Sequence, residues 1–290
     1  MIISIAGGLG NQMFQYAYYY SQKRRYPELR VLADLSFYDA SNVHNGYELE
    51  RIFGITLDCC DETTSAKHRM TNTIFDRVLR KFGVYYAGFH YSLRDKAKGF
   101  DKRFLEKFND DDYLYGFWQS EKYFGKYKED IVKQFDFPAY IKKNNLIVAK
   151  QMQKTESIAI HVRRGDYLKN SMFVNLAEEG YYQKAIEEVK KKAKNDRHWF
   201  VFSDDIEWCR ANLPLLSETV QYVSDNKGKE SFRDMQLMSE AQYMIIANSS
   251  FSWWGAYLNK RAKMIVAPKA FYVKNTGFNK DICPDNWIRI

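Results

Sequence analysis

The stretch Ile158–Tyr167, read as I-A-I-H-V-R-R-G-D-Y, leaves a chain little choice of fold. Ile158, Ile160 and Val162 fall on one face of an extended segment; Ala159, His161 and Arg163 fall on the other. Such a run reads as a buried strand. Gly165 and Asp166 supply a turn at its end. The strand therefore presents His161, Arg163 and Arg164 at its carboxyl tip, where open α/β sheets bind their ligands. Two guanidinium groups there suit a doubly negative ligand, because the planar fork matches phosphate oxygens in pairs. An ion pair between arginine and Asp166 is the plainer alternative. Arg164-Gly165-Asp166 also spells an adhesion tripeptide, which its place against a core strand argues against.

The rest of the second half repeats the pattern. A helix is expected over 175–194, then a strand at 198–203 ending in Ser203-Asp204-Asp205, a helix at 207–212 and a strand at 220–223. A helix at 231–241, a strand at 243–247, a helix from Ser252 to Asn259 and a last strand at 263–267 follow. This alternation argues for an α/β class with a mostly parallel sheet covered by helices. The first half opens the same way. Met1 to Ala6 reads as a strand, Gly7-Gly8-Leu9-Gly10-Asn11-Gln12 as a loop and Met13 to Arg25 as a helix, the start of a Rossmann-like half. Met13 stands where a dinucleotide fingerprint needs Gly or Ala, so close backbone approach to another ligand is the better reading. Asn11 either serves that ligand or caps the helix.

Arg30–Leu35 reads as a second strand. The loop 36–49 after it carries Asp39, His44, Asn45 and Glu48, and a loop so rich in titratable groups is often functional. Ile55-Thr56-Leu57 looks strand-like. The middle, 63–108, is basic, aromatic and punctuated by Gly83, Gly88 and Gly99, with helix expected near Ala66–Lys81. Asp110-Asp111-Asp112 reads as a solvated loop before a strand at 113–118, and 121–135 as a helix. Pro138 and the polar run Lys142–Asn145 read as punctuation before a helix at 146–154. The domains are thus expected at 1–153 and 154–290.

Composition narrows the function. The 290 residues carry a net charge of +8, which suits nucleic acid, an anionic membrane surface or an anionic small substrate. No zinc-finger spacing or RNA-binding aromatic signature supports nucleic acid. The run Lys190–Lys194 shares its helix with Glu187 and Glu188, as a solvated face would. Cys59, Cys60, Cys209 and Cys283 suggest neither a zinc site nor a disulfide framework, and a reducing compartment fits. Without a signal-peptide pattern at Met1–Ile5 or a long apolar run, a soluble or peripheral protein is expected.

Three strand tips converge in the second half: His161/Arg163/Arg164, Ser203/Asp204/Asp205 and Ser249/Ser250/Phe251. The last lies at a helix N-terminus, where free N–H groups and hydroxyls favour an anion. With Arg163 this set could hold a pyrophosphate without metal. An aspartate can accept from guanine N1–H and N2–H together, so a guanosine diphosphate site is expected. Ser252 is read as an ordinary N-cap.

These residues resemble a known family. H-V-R-R-G-D-Y at 161–167, G-G-L-G-N-Q-M-F-Q-Y-A at 7–17 and N-S-S-F-S-W-W-G-A at 248–256 are similar to the bacterial alpha-1,2-fucosyltransferases. They are more distantly similar to alpha-1,6- and protein O-fucosyltransferases. The resemblance implies two facing Rossmann-like domains of the GT-B type and GDP-fucose held mainly by the C-terminal one. It also implies inversion at the anomeric carbon and no required metal or other cofactor. By the same resemblance Arg163 binds the β-phosphate, and His161 with Asp234 reads guanine. Ser249, Ser250 and Phe251 form the phosphate loop, beside Arg164, Asp204 and Asp205. Asn11 faces the reacting centre, and Gly8 and Gly10 are expected to bind the donor.

The acceptor implied is the 2-hydroxyl of a terminal galactose, in a glycan assembled at the cytoplasmic side of a bacterial membrane. Peripheral contact with anionic lipid fits the basic charge. Asp39 and His44 are the candidate general bases, although the resemblance leaves room for none. A transferase of another GDP-sugar or linkage, and a binding module without catalysis, remain as alternatives.

Overall fold

The short apolar N-terminal run makes a fully buried strand, β1 (Ile2–Ser4), which ends where Gly7 takes a φ of 84°. Gly8 then caps helix α1 (Leu9–Arg25). This helix starts at Leu9, before Met13, because the extended backbone at Gly8 supplies the entry turn. The computed structural model describes residues 1–39, 44–68, 84–87, 90–94, 99–110, 112–194, 196–273 and 278–290, with backbone alone at 67–68, 84–87, 90–94 and 278.

Two units divide the chain, Met1–Asp136 and Phe137–Ile290. In the first, β2 (Leu32–Asp34), α2 (Leu49–Phe53), α3 (Glu62–His68), β3 (Val84–Ala87), β4 (His90–Arg94), β5 (Tyr113–Tyr115) and α4 (Lys128–Gln134) follow α1. The described strands form one sheet of order β2-β1-β5-β4-β3, parallel except for the antiparallel pair β3 and β4. Residues 55–57 form no strand; Cys59 alone bridges to Ala33. The helix expected over 121–135 breaks into two 3₁₀ turns, Glu121–Tyr123 and Gly125–Tyr127, before α4. The Ser120 hydroxyl caps the first of them. The expected helix near 66–81 runs beyond α3 outside the described residues, as do Gly83, Gly88 and Asp111.

The second unit runs α5 (Lys143–Lys154), β6 (Glu156–Val162), α6 (Tyr181–Lys190), β7 (Arg197–Ser203), α7 (Ile206–Asn212) and β8 (Thr219–Val223). It continues with α8 (Phe232–Met238), β9 (Tyr243–Ile245), α9 (Ser250–Tyr257), β10 (Met264–Ala267), α10 (Phe278–Asp281) and β11 (Ile288–Arg289). Its described strands stand in the order β11-β10-β9-β6-β7-β8, and every pairing is parallel. Helix α6 is shorter than the expected 175–194, because Gly180 adopts a left-handed φ of 64° at its start. Ile158, Ile160, Val162, Trp199, Val201 and Ile245 fill the core against α6, each apolar side chain worth about 1.5–3 kcal/mol of burial.

The units meet the sequence at Phe137, earlier than the expected 153/154. Physical ties explain this. Phe137 stacks on Phe232 with centroids 6.5 Å apart, and the Pro138 carbonyl accepts from Arg233 at 2.6 Å and Gln236 at 3.0 Å. Asn145 on α5 pairs with Asn226. So α5 packs with the second sheet.

The amino-terminal end of that sheet is held by Glu218. It accepts from Arg197 at 3.0 and 2.7 Å, from Trp199 Nε1 at 3.0 Å and from Lys190 at 2.9 Å. Burial opposes the charge, but these donors outweigh it and bring the carboxyl down to about 2. A depressed carboxyl stabilises the fold above its unfolded value of about 4.3 and loses that effect as pH falls toward the folded value. Glu218→Gln is therefore expected to cost about 2 kcal/mol at neutral pH, with the deficit shrinking between about pH 4.3 and 2. Denaturant unfolding of both proteins across that window checks this; a deficit independent of pH would count against it.

Candidate active site

In the second unit the strand order reverses at β6. β7 and β8 lie on one side, and β9, β10 and β11 on the other. The crevice outside the carboxyl ends of β6 and β9 is thus the topological switch point, where such sheets hold ligands. The loops leaving β6, β7 and β9 are neighbours, so the three expected tips do come together.

At the β6 tip, Arg163 is one-third exposed. It pairs with Asp166 at 2.7 Å and Asp204 at 3.2 Å, and its guanidinium lies 5.7 Å from the Tyr167 ring centroid. The ion pair with Asp166 read as an alternative is present, and the cation still faces solvent. Arg164 does not form a double fork with it. Its guanidinium lies 4.1 Å over Trp208 and pairs with Asp205 at 3.1 Å. Asp204 accepts from the N–H groups of Arg164 at 2.9 Å and Gly165 at 3.1 Å. A Cβ at Gly165 would stand 2.7 Å from Asp204 Oδ2, so glycine is what lets the carboxylate close on the loop. Asp205 caps α7 by accepting from Trp208 N–H at 3.1 Å. Asp204 and Asp205, expected on the donor side, thus both also bond to the protein's own donors, and their side chains keep 24% and 38% exposure.

At the β9 tip the N-cap of α9 is Ser249, not Ser252. The Ser249 hydroxyl accepts from Phe251 N–H at 3.3 Å. Ser252 is buried inside the first turn and donates back to the Ala247 and Ser249 carbonyls. Ser250 and Ser252 are left with first-turn N–H groups that helix geometry cannot satisfy. His161 stands beside this turn, its ring centroid 5.8 Å from that of Phe251. It is buried, and its Nδ1 has no hydrogen-bond partner. Burial and then the Arg163 charge push its pKa down to about 3, so the imidazole is neutral and free to donate or accept.

Asp234 on α8 is the remaining carboxylate. Its single side-chain donor among the described residues is Asn226 Nδ2, at 2.7 Å. Burial pushes its pKa up to about 7, against the Asn226 hydrogen bond and with a further push from Asp225. Sequence reading missed Asn226 and Asn145. A polar run before a helix and an asparagine in a loop carry no distinguishing signal.

The first unit builds its own loop at the carboxyl end of β1, again where strand order reverses. Asn11 is not the cap. It sits in the first turn of α1, and its Oδ1 accepts from Gln119 at 2.7 Å. Gly7 and Gly8 permit close packing: a Cβ at Gly7 would lie 2.9 Å from Asn11 Nδ2, and one at Gly8 3.3 Å from His44. Gly10 is buried within the first turn. Buried Gln12, which sequence reading left without a role, donates to the Gly7 and Gly46 carbonyls at 3.0 and 2.9 Å and accepts from Glu48 N–H at 2.8 Å. It ties the glycine loop to the loop bearing His44. Asp39 is exposed. Glu48 is buried, which raises its pKa, with Arg51 at 2.7 Å opposing.

Among the described residues no group of three or more His, Cys, Asp or Glu is placed to hold a metal ion. No described helix is long and apolar enough to cross a membrane. The arrangement in the second unit can do one thing well: receive a diphosphate at Arg163 and the start of α9, with neutral His161 beside that turn.

Comparison with known proteins agrees in kind. Residues 1–290 match the profile of Glycosyl transferase family 11. An alpha-1,2-colitosyltransferase of Escherichia coli is 33% identical over 298 residues, covering 100% of this chain and 98% of its own. A galactoside 2-alpha-L-fucosyltransferase, SEC1 of Bos taurus, is 24% identical, covering 93% of this chain and 71% of its own. Among solved structures, NodZ alpha-1,6-fucosyltransferase soaked with GDP-fucose superposes with a TM-score of 0.55 at 13% identity, over 91% of this chain and 93% of its own. That likeness carries the α/β fold with its parallel sheets.

The raised carboxyl of Asp234 has a sign that can be checked. Above its unfolded value of about 4, the folded state holds a proton that the unfolded chain releases, so stability falls as pH rises toward about 7. Asp234→Asn should therefore stabilise the protein at pH 8 and change little near pH 4. Melting temperatures of the two proteins at both values test it, and a gain confined to acid pH would refute the assignment.

Proposed function

The chain belongs to glycosyl transferase family 11, and from that premise we propose that it transfers L-fucose from GDP-fucose to the 2-hydroxyl of a terminal galactose. The observation that carries this reading is the switch-point crevice, where Arg163, the open first turn of α9 and neutral His161 adjoin. In this reading the diphosphate lies against Arg163 and the Ser249–Ser250–Phe251 turn. Asp234 accepts from guanine N1–H and N2–H as a carboxylate, and His161 reads the same base. The fold is of the GT-B type in this reading, with Asn11 at the reacting centre and Gly8 and Gly10 on the donor.

The chemistry follows from charge. The acceptor oxygen forms a bond to the fucose anomeric carbon as the bond to the β-phosphate oxygen breaks, with inversion. Negative charge grows on the departing GDP, and a guanidinium placed there stabilises it as a metal does elsewhere. The acceptor proton passes to a general base, for which Asp39 and His44 are the candidates. A second reading, transfer of colitose from its activated form, is favoured by the colitosyl relative at 33% identity. The basic net charge of +8 supports work at the inner face of a bacterial membrane, on a glycan under assembly.

The test is GDP release from a panel of GDP- and UDP-sugars, with and without lactose, in the presence of a chelator. Lactose-dependent release from GDP-fucose is expected, and Arg163→Ala should lower turnover by about 10²–10³. Release from a different GDP-sugar alone would replace the donor; full activity in Arg163→Ala would remove its assigned role.

A further inference from the structure

Resting on the reading of Asp234 as the acceptor for guanine, we propose that Asn226, held in turn by Asn145, is a positioning residue that fixes the Asp234 carboxylate for base recognition. The observation is a buried chain of amides that ends on a partly exposed acid. Asn145 and Asn226 are 2% and 6% exposed. Their amides bond reciprocally: Asn145 Nδ2 donates to Asn226 Oδ1 at 2.9 Å, and Asn226 Nδ2 donates to Asn145 Oδ1 at 3.1 Å. Asn226 Nδ2 also donates to Asp234 Oδ1 at 2.7 Å.

Counting hydrogens shows why this is an orienting device. A primary amide nitrogen has two hydrogens, and both of those on Asn226 are used. Turning the Asn226 amide over would aim its oxygen at the carboxylate and break the match with Asn145. Only one orientation satisfies the whole set. One hydrogen on Oδ1 anchors that oxygen and leaves Asp234 Oδ2 and a lone pair of Oδ1 as the pair of acceptors that adjacent N1–H and N2–H donors need. Two buried amides are costly unless fully bonded. An apolar pair would hold α5 against the loop as well, and Asn144 already joins Asp225 across the same seam at 3.2 Å. What an apolar pair would lack is the donor to Asp234.

The test uses the full chain, with GDP and IDP as probes; IDP keeps N1–H and lacks the 2-amino group. Replacing both amides, Asn145→Leu with Asn226→Leu, removes the donor without leaving a lone buried amide. This variant should bind GDP about tenfold more weakly by calorimetry, and its preference for GDP over IDP should shrink. Asn145→Ala, which leaves Asn226 in place but unheld, should shift both in the same direction by less, and it serves if the double variant fails to fold. A variant with a native melting curve, unchanged GDP affinity and an unchanged GDP/IDP ratio would overturn the proposal. Asp234→Asn separates the two levels. If it abolishes the GDP preference while the amide variants do not, base reading stands and positioning falls. If it too leaves the ratio unchanged, base reading falls and the positioning role with it.

Discussion

The parallel ladder between β6 and β7 sets the site. Seven residue pairs, from Glu156–Arg197 to Val162–Ser203, fix where each strand ends relative to the other. That register brings Asp204 alongside Arg163, Arg164 and Gly165, so one carboxylate can take two N–H groups and a guanidinium at once. A slip by one residue would turn His161 from one face to the other and carry Asp204 away from the loop. The core side chains Ile158, Ile160 and Val162 make that slip expensive, since it would expose the face that packs on α6.

Two aspartates of the second unit show how environment divides labour among identical groups. Asp204 is surrounded by donors and holds the loop after β6. Asp234 has one amide and a carboxylate neighbour in Asp225, so its charge is dear, and an incoming pair of N–H donors would relieve it. The same contrast separates the arginines. Arg164 is spent on Trp208 and Asp205, whereas Arg163 keeps a third of its side chain in water.

Much of this was legible in the sequence. Alternating apolar positions gave β6, and the β/α alternation of the second half gave a parallel sheet whose neighbouring tips meet. The glycine loop reads as close backbone approach to a ligand, and what the structure shows at Gly7 and Gly8 is close packing against Asn11 and His44. What was not legible depended on long-range partners. Asp204 and Asp205 look like ligand groups alone, and the bonds they also take from Arg164, about forty residues away in sequence, are not readable from the chain. Ser249 and Ser252 are equally good caps on paper; the backbone at Ser249, extended at φ −127° and ψ 133°, decides between them. Asn145 and Asn226 are 81 residues apart, and no local pattern announces a pair at that distance.

The segment joining the units is thus part of the second one. The guanidinium of Arg233, 2% exposed, finds an acceptor in the Pro138 carbonyl, and Asn226 finds its mate on α5. Excising the second unit at its first strand, near Glu156, would retain every strand of its sheet and yet strip a buried cation of a carbonyl and a buried amide of its twin. A fragment that keeps these partners of the second unit therefore begins no later than Phe137, upstream of any strand it contains.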